Sequence, residues 1–173
     1  EDNLLNIYQE TGSGENADYR REKLFFRNSN GYYTPLKLAQ DRSSGYLKLN
    51  RMPLIRLPEM YYILAECATD PTEAADWLNT VRANRGIPAD VDLVGDDAFD
   101  QLDSRPGCDN TQTKRINEIM KEYNKEYYGE GQLFYFYKRL NYKVFTGCPA
   151  GGMLPQYYTP AIPDNEHIFG NNN

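Results

Sequence analysis

One histidine, one tryptophan and three cysteines are all that this chain of 173 residues carries of those types. The histidine, His167, sits six residues from the C-terminal end, and no Ser or Cys stands in a nucleophile-elbow setting. A nucleophile–histidine triad therefore has no support. Cys67, Cys108 and Cys148 lack CxxC spacing, and a single histidine cannot complete their set, which argues against a zinc site. Cys67 falls inside an apolar helical pattern and reads as a buried small residue. Cys108 and Cys148 lie in Gly/Pro-rich stretches, where a disulfide between them is open to an exported chain. A basic excess is also missing. The formal net charge is −6, which argues against nucleic acid as a partner, since phosphate binding needs a basic face. No apolar run approaches the roughly 20 residues of a membrane-spanning helix. Gly-rich phosphate loops are absent, because the GSG near residue 12 lacks the flanking strand, helix and Lys. The acidic stretch DLVGDDAFDQLD does not have calcium-loop spacing. Neither a cofactor nor a metal is expected. There is no signal-peptide pattern, and the opening EDNLLNIYQE lacks an initiator Met, so the chain reads as processed or as part of something longer.

What the sequence does have is tyrosine: 15 of them, with 13 glycines and 10 prolines to make turns. A tyrosine offers a flat apolar face and a polar tip, which suits ligand surfaces and wet core edges alike. Residues 1–17 are polar and read as loop, with TGSGEN the most flexible patch. Residues 18–50 contain short alternating pieces, KLFFR and GYLKLN, expected as one or two short strands. Helical periodicity is strong from Leu57, with Leu57, Met60 or Tyr61, Leu64 and Ala68 as its apolar face. A second helix follows with Asp70 as N-cap, Pro71 at its first position and Glu73 three residues after the cap. Gly86 is placed for a left-handed C-cap with Pro88 beyond it. Ala74, Ala75, Leu78 and Val81 form its apolar face, and Trp77 reads as packing between the two helices. So short a link makes the pair an antiparallel hairpin the size of one tetratricopeptide repeat. Its outer faces would need further repeats to cover them. Residues 87–112 read as a polar loop. A third helix keeps Ile116, Ile119 or Met120, Tyr123 and Tyr127 on one face, then meets Gly129 and Gly131, where a kink or break is expected. QLFYFYKRLNY resumes as helix or as a short strand. The tail from Cys148, with four prolines, is expected to run non-helical over the surface.

Few residues carry chemistry. Glu126 and Glu130 are paired carboxylates at i, i+4 spacing, the low end of what a glycosidase needs. The alternative is a solvated helix edge, paired with Lys125 or Arg139. For ligand stacking the candidates are Tyr32, Tyr33 and Tyr46, beside Asn28, Asn30 and Arg42: an aromatic face with amide and guanidinium donors is what a sugar requires. Tyrosines covering a hydrophobic edge would look the same.

Three segments resemble, in order, the C-terminal region of SusD/RagB-family proteins. PLIRLPEMYYILAECA with AADWLNTVRANRG is similar to the family's P-L-I-R-L-A-E helix and its L-N-x-V-R partner. KEYNKEYYGEGQLFYFYKRL is similar to the helix carrying E-x-x-E-G-x-R-x-x-D-L-x-R, although Leu133 and Phe136 stand where the family has Arg and Asp, and Tyr123 stands for another Arg. YYTPAIPDNEHIFGNN resembles the closing P-I-P segment. The resemblance spans Pro53 to Asn173. It implies a mainly α fold: a tetratricopeptide-like hairpin, an additional kinked helix, long loops and one or two short strands. It implies a loop-rich segment over 1–50 and a helical region over 51–173. It further implies a surface lipoprotein of Bacteroidetes, anchored by an N-terminal lipid that this chain does not include. Such a protein is not an enzyme: it binds glycans or other nutrient oligomers and delivers them to a SusC-like TonB-dependent transporter in the outer membrane. Two other readings stay open: a helical scaffold that binds only protein, and a glycoside hydrolase using Glu126 and Glu130.

Overall fold

The computed structural model describes residues 7–10, 18–27, 29–36, 54–145 and 147–162. Helix α1 (Tyr19–Leu24) runs directly into strand β1 (Phe25–Arg27), which pairs antiparallel with β2 (Tyr33–Pro35). Helices α2 (Leu57–Cys67) and α3 (Pro71–Ala83) form the hairpin. Helix α4 (Lys114–Tyr127) crosses both, and α5 (Gln132–Leu140) packs on α4. The expected mainly helical fold with two short strands is what the described residues form. The stretch expected as a second strand, GYLKLN, lies outside them, and α1 was not anticipated.

The caps of α3 follow from its sequence. The Asp70 side chain accepts from the Thr72 backbone N–H at 2.9 Å, and Pro71 occupies the first turn, where its missing N–H costs nothing. Glu73 does not close a capping box; it accepts from Trp77 Nε1 instead. Trp77 is half-buried, its ring 5.7 Å from that of Tyr61, so it does pack between the two helices. Gly86 ends the hairpin with φ +85°, and a Cβ there would lie 2.5 Å from the Tyr19 ring. That close approach, with the Tyr19 N–H donating to the Arg85 carbonyl, fastens α1 to the end of α3.

The main core draws Tyr62 and Ala65 from α2, Ala74, Ala75, Leu78 and Val81 from α3, and Ile119, Tyr123 and Tyr127 from α4. Phe136 and Tyr137 of α5, Phe99, Tyr142 and Tyr158 complete it. The apolar faces read for α3 and α4 hold. The face read for α2 holds only in part: Tyr61 and Ala68 pack on the core, but Leu57, Met60 and Leu64 are exposed, and so is Cys67. Helix α2 is apolar on nearly every side, so periodicity could not choose a face. The inward side is Tyr62 and Ala65, with Tyr61 and Ala68 beside them, because those positions meet α3 and α4. All three cysteines are free thiols.

Of the kink or break expected at GEG, the break is what forms: α4 ends at Tyr127, and Gly129 and Gly131 take φ of +76° and +90° before α5 begins. The loop over 87–112 is tethered through two 3-10 turns (Ala89–Val91 and Asp97–Asp100), the buried Phe99 and a bridge from Leu102 to Thr113. The tail contains a 3-10 turn, Pro155–Tyr158, started by Pro155 and held by Tyr158, whose hydroxyl donates to the Tyr142 carbonyl at 2.6 Å.

Leu78 is fully buried at the centre of the hairpin. Leu78→Ala is expected to cost about 2–5 kcal/mol. A urea denaturation series should show that as a lowered midpoint with an unchanged slope.

Candidate functional site

Helix α4 carries glutamates at 118, 122, 126 and 130, each four residues from the last, the final one just beyond the helix end. Neighbours at this spacing share a face, so an isolated α4 would suffer repulsion along the row. The fold answers each with cations from distant segments. Glu118 accepts from Arg105 at 2.6 Å. Glu122, fully buried, meets Arg20 at 2.7 Å, Lys125 at 2.9 Å and Arg82 at 3.3 Å. Glu126 meets Arg56 at 2.8 Å, Arg85 at 3.0 Å and Arg20 at 3.3 Å. Glu130 shares Arg56 at 2.9 Å, and the Arg56 guanidinium also lies 4.4 Å above the Tyr127 ring. Asp18 and Glu10 extend the network to the other side. Asp18 holds Arg20 at 2.7 Å, while Glu10 reaches Arg82, Lys121 and Lys125. Tyr8, also buried, donates to the Lys125 carbonyl. Residues 7–10 are thus pinned to α4 where the sequence suggested loop.

Burial alone would push the Glu122 carboxyl up, but Arg20, Lys125 and Arg82 outweigh it and hold the group well below the usual carboxylate range. Glu126 is likewise pushed up by burial and pulled further down by Arg85, Arg20 and Arg56. Glu126 and Glu130 therefore converge on one guanidinium. They are neither a solvated edge nor a cleft pair, and Lys125 and Arg139 are not their partners. Lys125 turns to Glu122 and Glu10, while Arg139 forks onto Glu66 at 2.5 and 2.7 Å. A hollow of about 250 Å³ beside α1 touches Glu126 and is walled by Tyr19, Lys23 and Arg85, without Glu130. The arrangement offers no poised acid and base flanking a bond.

The aromatic candidates fall differently. Asn30 lies in the turn of the β1–β2 hairpin, Tyr32 follows it and Tyr33 opens β2. Tyr32 is 55 % exposed and Tyr33 36 %, and Phe26 of β1 is also exposed. The Arg27 guanidinium sits 5.8 Å over the Tyr33 ring, its cross-strand neighbour. These tyrosines form an outward surface close to amide and guanidinium groups. Tyr46, Arg42 and Asn28 lie outside the described residues, as does His167. Among the described residues no group of three or more His, Cys, Asp or Glu could hold a metal ion, and no helix is long and apolar enough to cross a membrane. The sequence reading missed the cation set, Arg20, Arg56, Arg82, Arg85 and Arg105. The available signal was the four-glutamate row itself, which demands such partners.

Among the described residues the fold is a helical hairpin crossed by a charged helix, with an exposed aromatic β-hairpin beside it. A sequence profile of the SusD family matches residues 5–168, and the chain belongs to that family. The match begins well upstream of Pro53 and takes in the segment that supplies Tyr8, Glu10, Asp18 and Arg20. Neither a curated protein nor a solved structure matched the chain. Members of the SusD family are cell-surface binding proteins for glycans and other nutrients.

Removing one charge from a buried network strands its partners. Glu122→Gln is expected to cost about 3–5 kcal/mol at neutral pH. The folded carboxyl titrates below its ordinary value of 4.5, so its contribution is whole above that pH and fades as pH falls. Denaturation of both proteins across pH should therefore show a gap that closes on acidification.

Proposed function

We propose that this chain captures a glycan or similar nutrient oligomer at the cell surface through the tyrosines of the β1–β2 hairpin, and passes it to a SusC-like TonB-dependent transporter. The observation that carries the reading is the exposed pair Tyr32 and Tyr33, close to Asn30 in the chain, with the Arg27 guanidinium over the Tyr33 ring. Pyranose C–H faces stack on such rings, while the amide and guanidinium meet hydroxyls. Tyr46 and Arg42, candidates from the sequence, lie outside the described residues. The carboxylates of α4 are engaged in ion pairs, which supports binding without chemistry.

The protein-scaffold reading has its own support: Leu54, Ile55, Leu57, Ile63 and Leu64 leave one side of α2 and its approach apolar and exposed. Such a face suits another helical unit. Affinity electrophoresis of the full-length protein over a panel of polysaccharides separates the two. Glycan retention that weakens about tenfold in Tyr32→Ala/Tyr33→Ala supports capture. Tight association with the transporter without retention by any glycan or peptide would favour the scaffold. Cleavage of a glycan would overturn a binding-only role.

A further inference from the structure

A second hollow, of about 380 Å³, lies between α2 and α5. That volume falls within the range of small-molecule sites. Its floor is aromatic, made by Tyr123 and Phe136 stacked at 4.7 Å with their planes 24° apart. Tyr135, 72 % exposed, and Ile63, 45 % exposed, also line it. The charged lining is two carboxylates, Glu59 and Glu66, and one cation, Arg139. Glu59, Ile63 and Glu66 recur at i, i+4 and i+7, so they lie along one face of α2.

The two carboxylates are not equivalent. Glu66 is answered: the Arg139 guanidinium forks onto it at 2.5 and 2.7 Å and also lies 5.6 Å over the Phe136 ring. A cation of the protein therefore already uses this lining, paired with a carboxylate and set over an aromatic ring. Glu59 is not answered. It is half-buried, and among the described residues its carboxylate has neither a hydrogen bond nor an ion pair. Arg56, three residues before it, is taken up by Glu126, Glu130 and the Tyr127 ring. The first turn of α2 favours a negative charge at Glu59 but brings no counter-ion. The field of Glu59 reaches the aromatic floor: burial, then the charges of Glu59 and Glu66, push the Tyr123 hydroxyl above its ordinary range, against the pull of Arg139.

These walls select a ligand class. An anion would meet Glu59 in a chain whose net charge is −6. A metal ion needs more ligands than one free carboxylate, and among the described residues no group of three or more His, Cys, Asp or Glu could hold one. A neutral ligand would leave the Glu59 charge without a counter-ion. An alkylammonium group suits each wall: its head pairs with a carboxylate beside aromatic rings, and its methylene stem lies on apolar side chains. We propose that the α2–α5 hollow binds an alkylammonium group, carried by a lysine side chain or a free amine, with Glu59 as its counter-ion and Ile63 and Tyr135 packing on its stem. The site shares no residue with the β1–β2 hairpin and does not depend on glycan capture there.

The test is a methyl NMR titration of the full-length protein labelled at its isoleucine δ1 methyls, with the Ile63 signal assigned through Ile63→Val. The cationic probes are pentylammonium and the peptide acetyl-Ala-Lys-Ala-amide. Hexan-1-ol and the same peptide with norleucine for lysine are the neutral counterparts, and hexanoate is the anionic one. The cationic probes should move the Ile63 signal along a saturable isotherm, at least about fivefold tighter than their neutral counterparts. Hexanoate should bind more weakly than hexan-1-ol. Glu59→Gln should weaken the cationic probes at least about fivefold and leave the hexan-1-ol isotherm in place, a split that a merely structural role for Glu59 would not give. Tighter binding of the lysine peptide than of pentylammonium would assign the site to peptides, and equal binding would assign it to free amines.

Equal affinity for cationic and neutral probes would overturn the proposal, as would an Ile63 signal that pentylammonium does not move, or Glu59→Gln with its affinity for pentylammonium intact. Each of these results leaves glycan retention by the β1–β2 hairpin standing or falling on its own measurement.

Discussion

Four glutamates spaced by four residues cannot be buried on one face of a helix unless cations arrive to meet them. That constraint organises this protein. Arg105 comes from the loop before α4, Arg20 from α1, Arg82 and Arg85 from the end of α3, and Arg56 from the residue preceding α2. The contacts to Glu126 join positions 41, 70 and 106 residues apart along the chain. Each segment is thereby positioned by the charge that it must deliver. A buried ion pair is a weak source of net stability, because desolvation offsets most of the attraction, but a mispaired one is severely penalised. The row therefore acts chiefly to exclude other packings of the same hydrophobic elements. It also has a functional consequence: α4 spends its carboxylates on structure.

Much of the frame could be read locally. The Asp70 cap, Pro71 and Gly86 bound α3 without knowledge of any neighbour, and the period of Ile119, Tyr123 and Tyr127 marked the inward face of α4. The faults arose where local signals were degenerate or partners distant. Helix α2 is apolar on several sides, so the face that packs was decided by α3 and α4. Glu126 and Glu130 were noticed as a pair, but Arg56, which joins them, lies 70 and 74 residues away.

The aromatic residues divide along the same lines. Those on α4 and the inner side of α5 pack within the core, where Tyr123 stacks on Phe136 across the two helices. Other tyrosines face outward, among them Tyr32 and Tyr33 on the hairpin and Tyr135 on α5. The glycines of GEG serve this arrangement by turning the chain sharply, so that α5 presents Tyr135 away from the core while keeping Phe136 within it.

The cations that converge on α4 hold the buried carboxyls of Glu122 and Glu126 below their ordinary range. The direct measurement is a carbon-13 NMR titration of the glutamate side-chain carboxyls, with the signals of Glu122 and Glu126 assigned through Glu122→Gln and Glu126→Gln. The account predicts that both titrate below the exposed glutamates, which titrate near their ordinary 4.5. Midpoints at or above 4.5 for either group would contradict it, because they would mean that the cations do not reach these carboxylates.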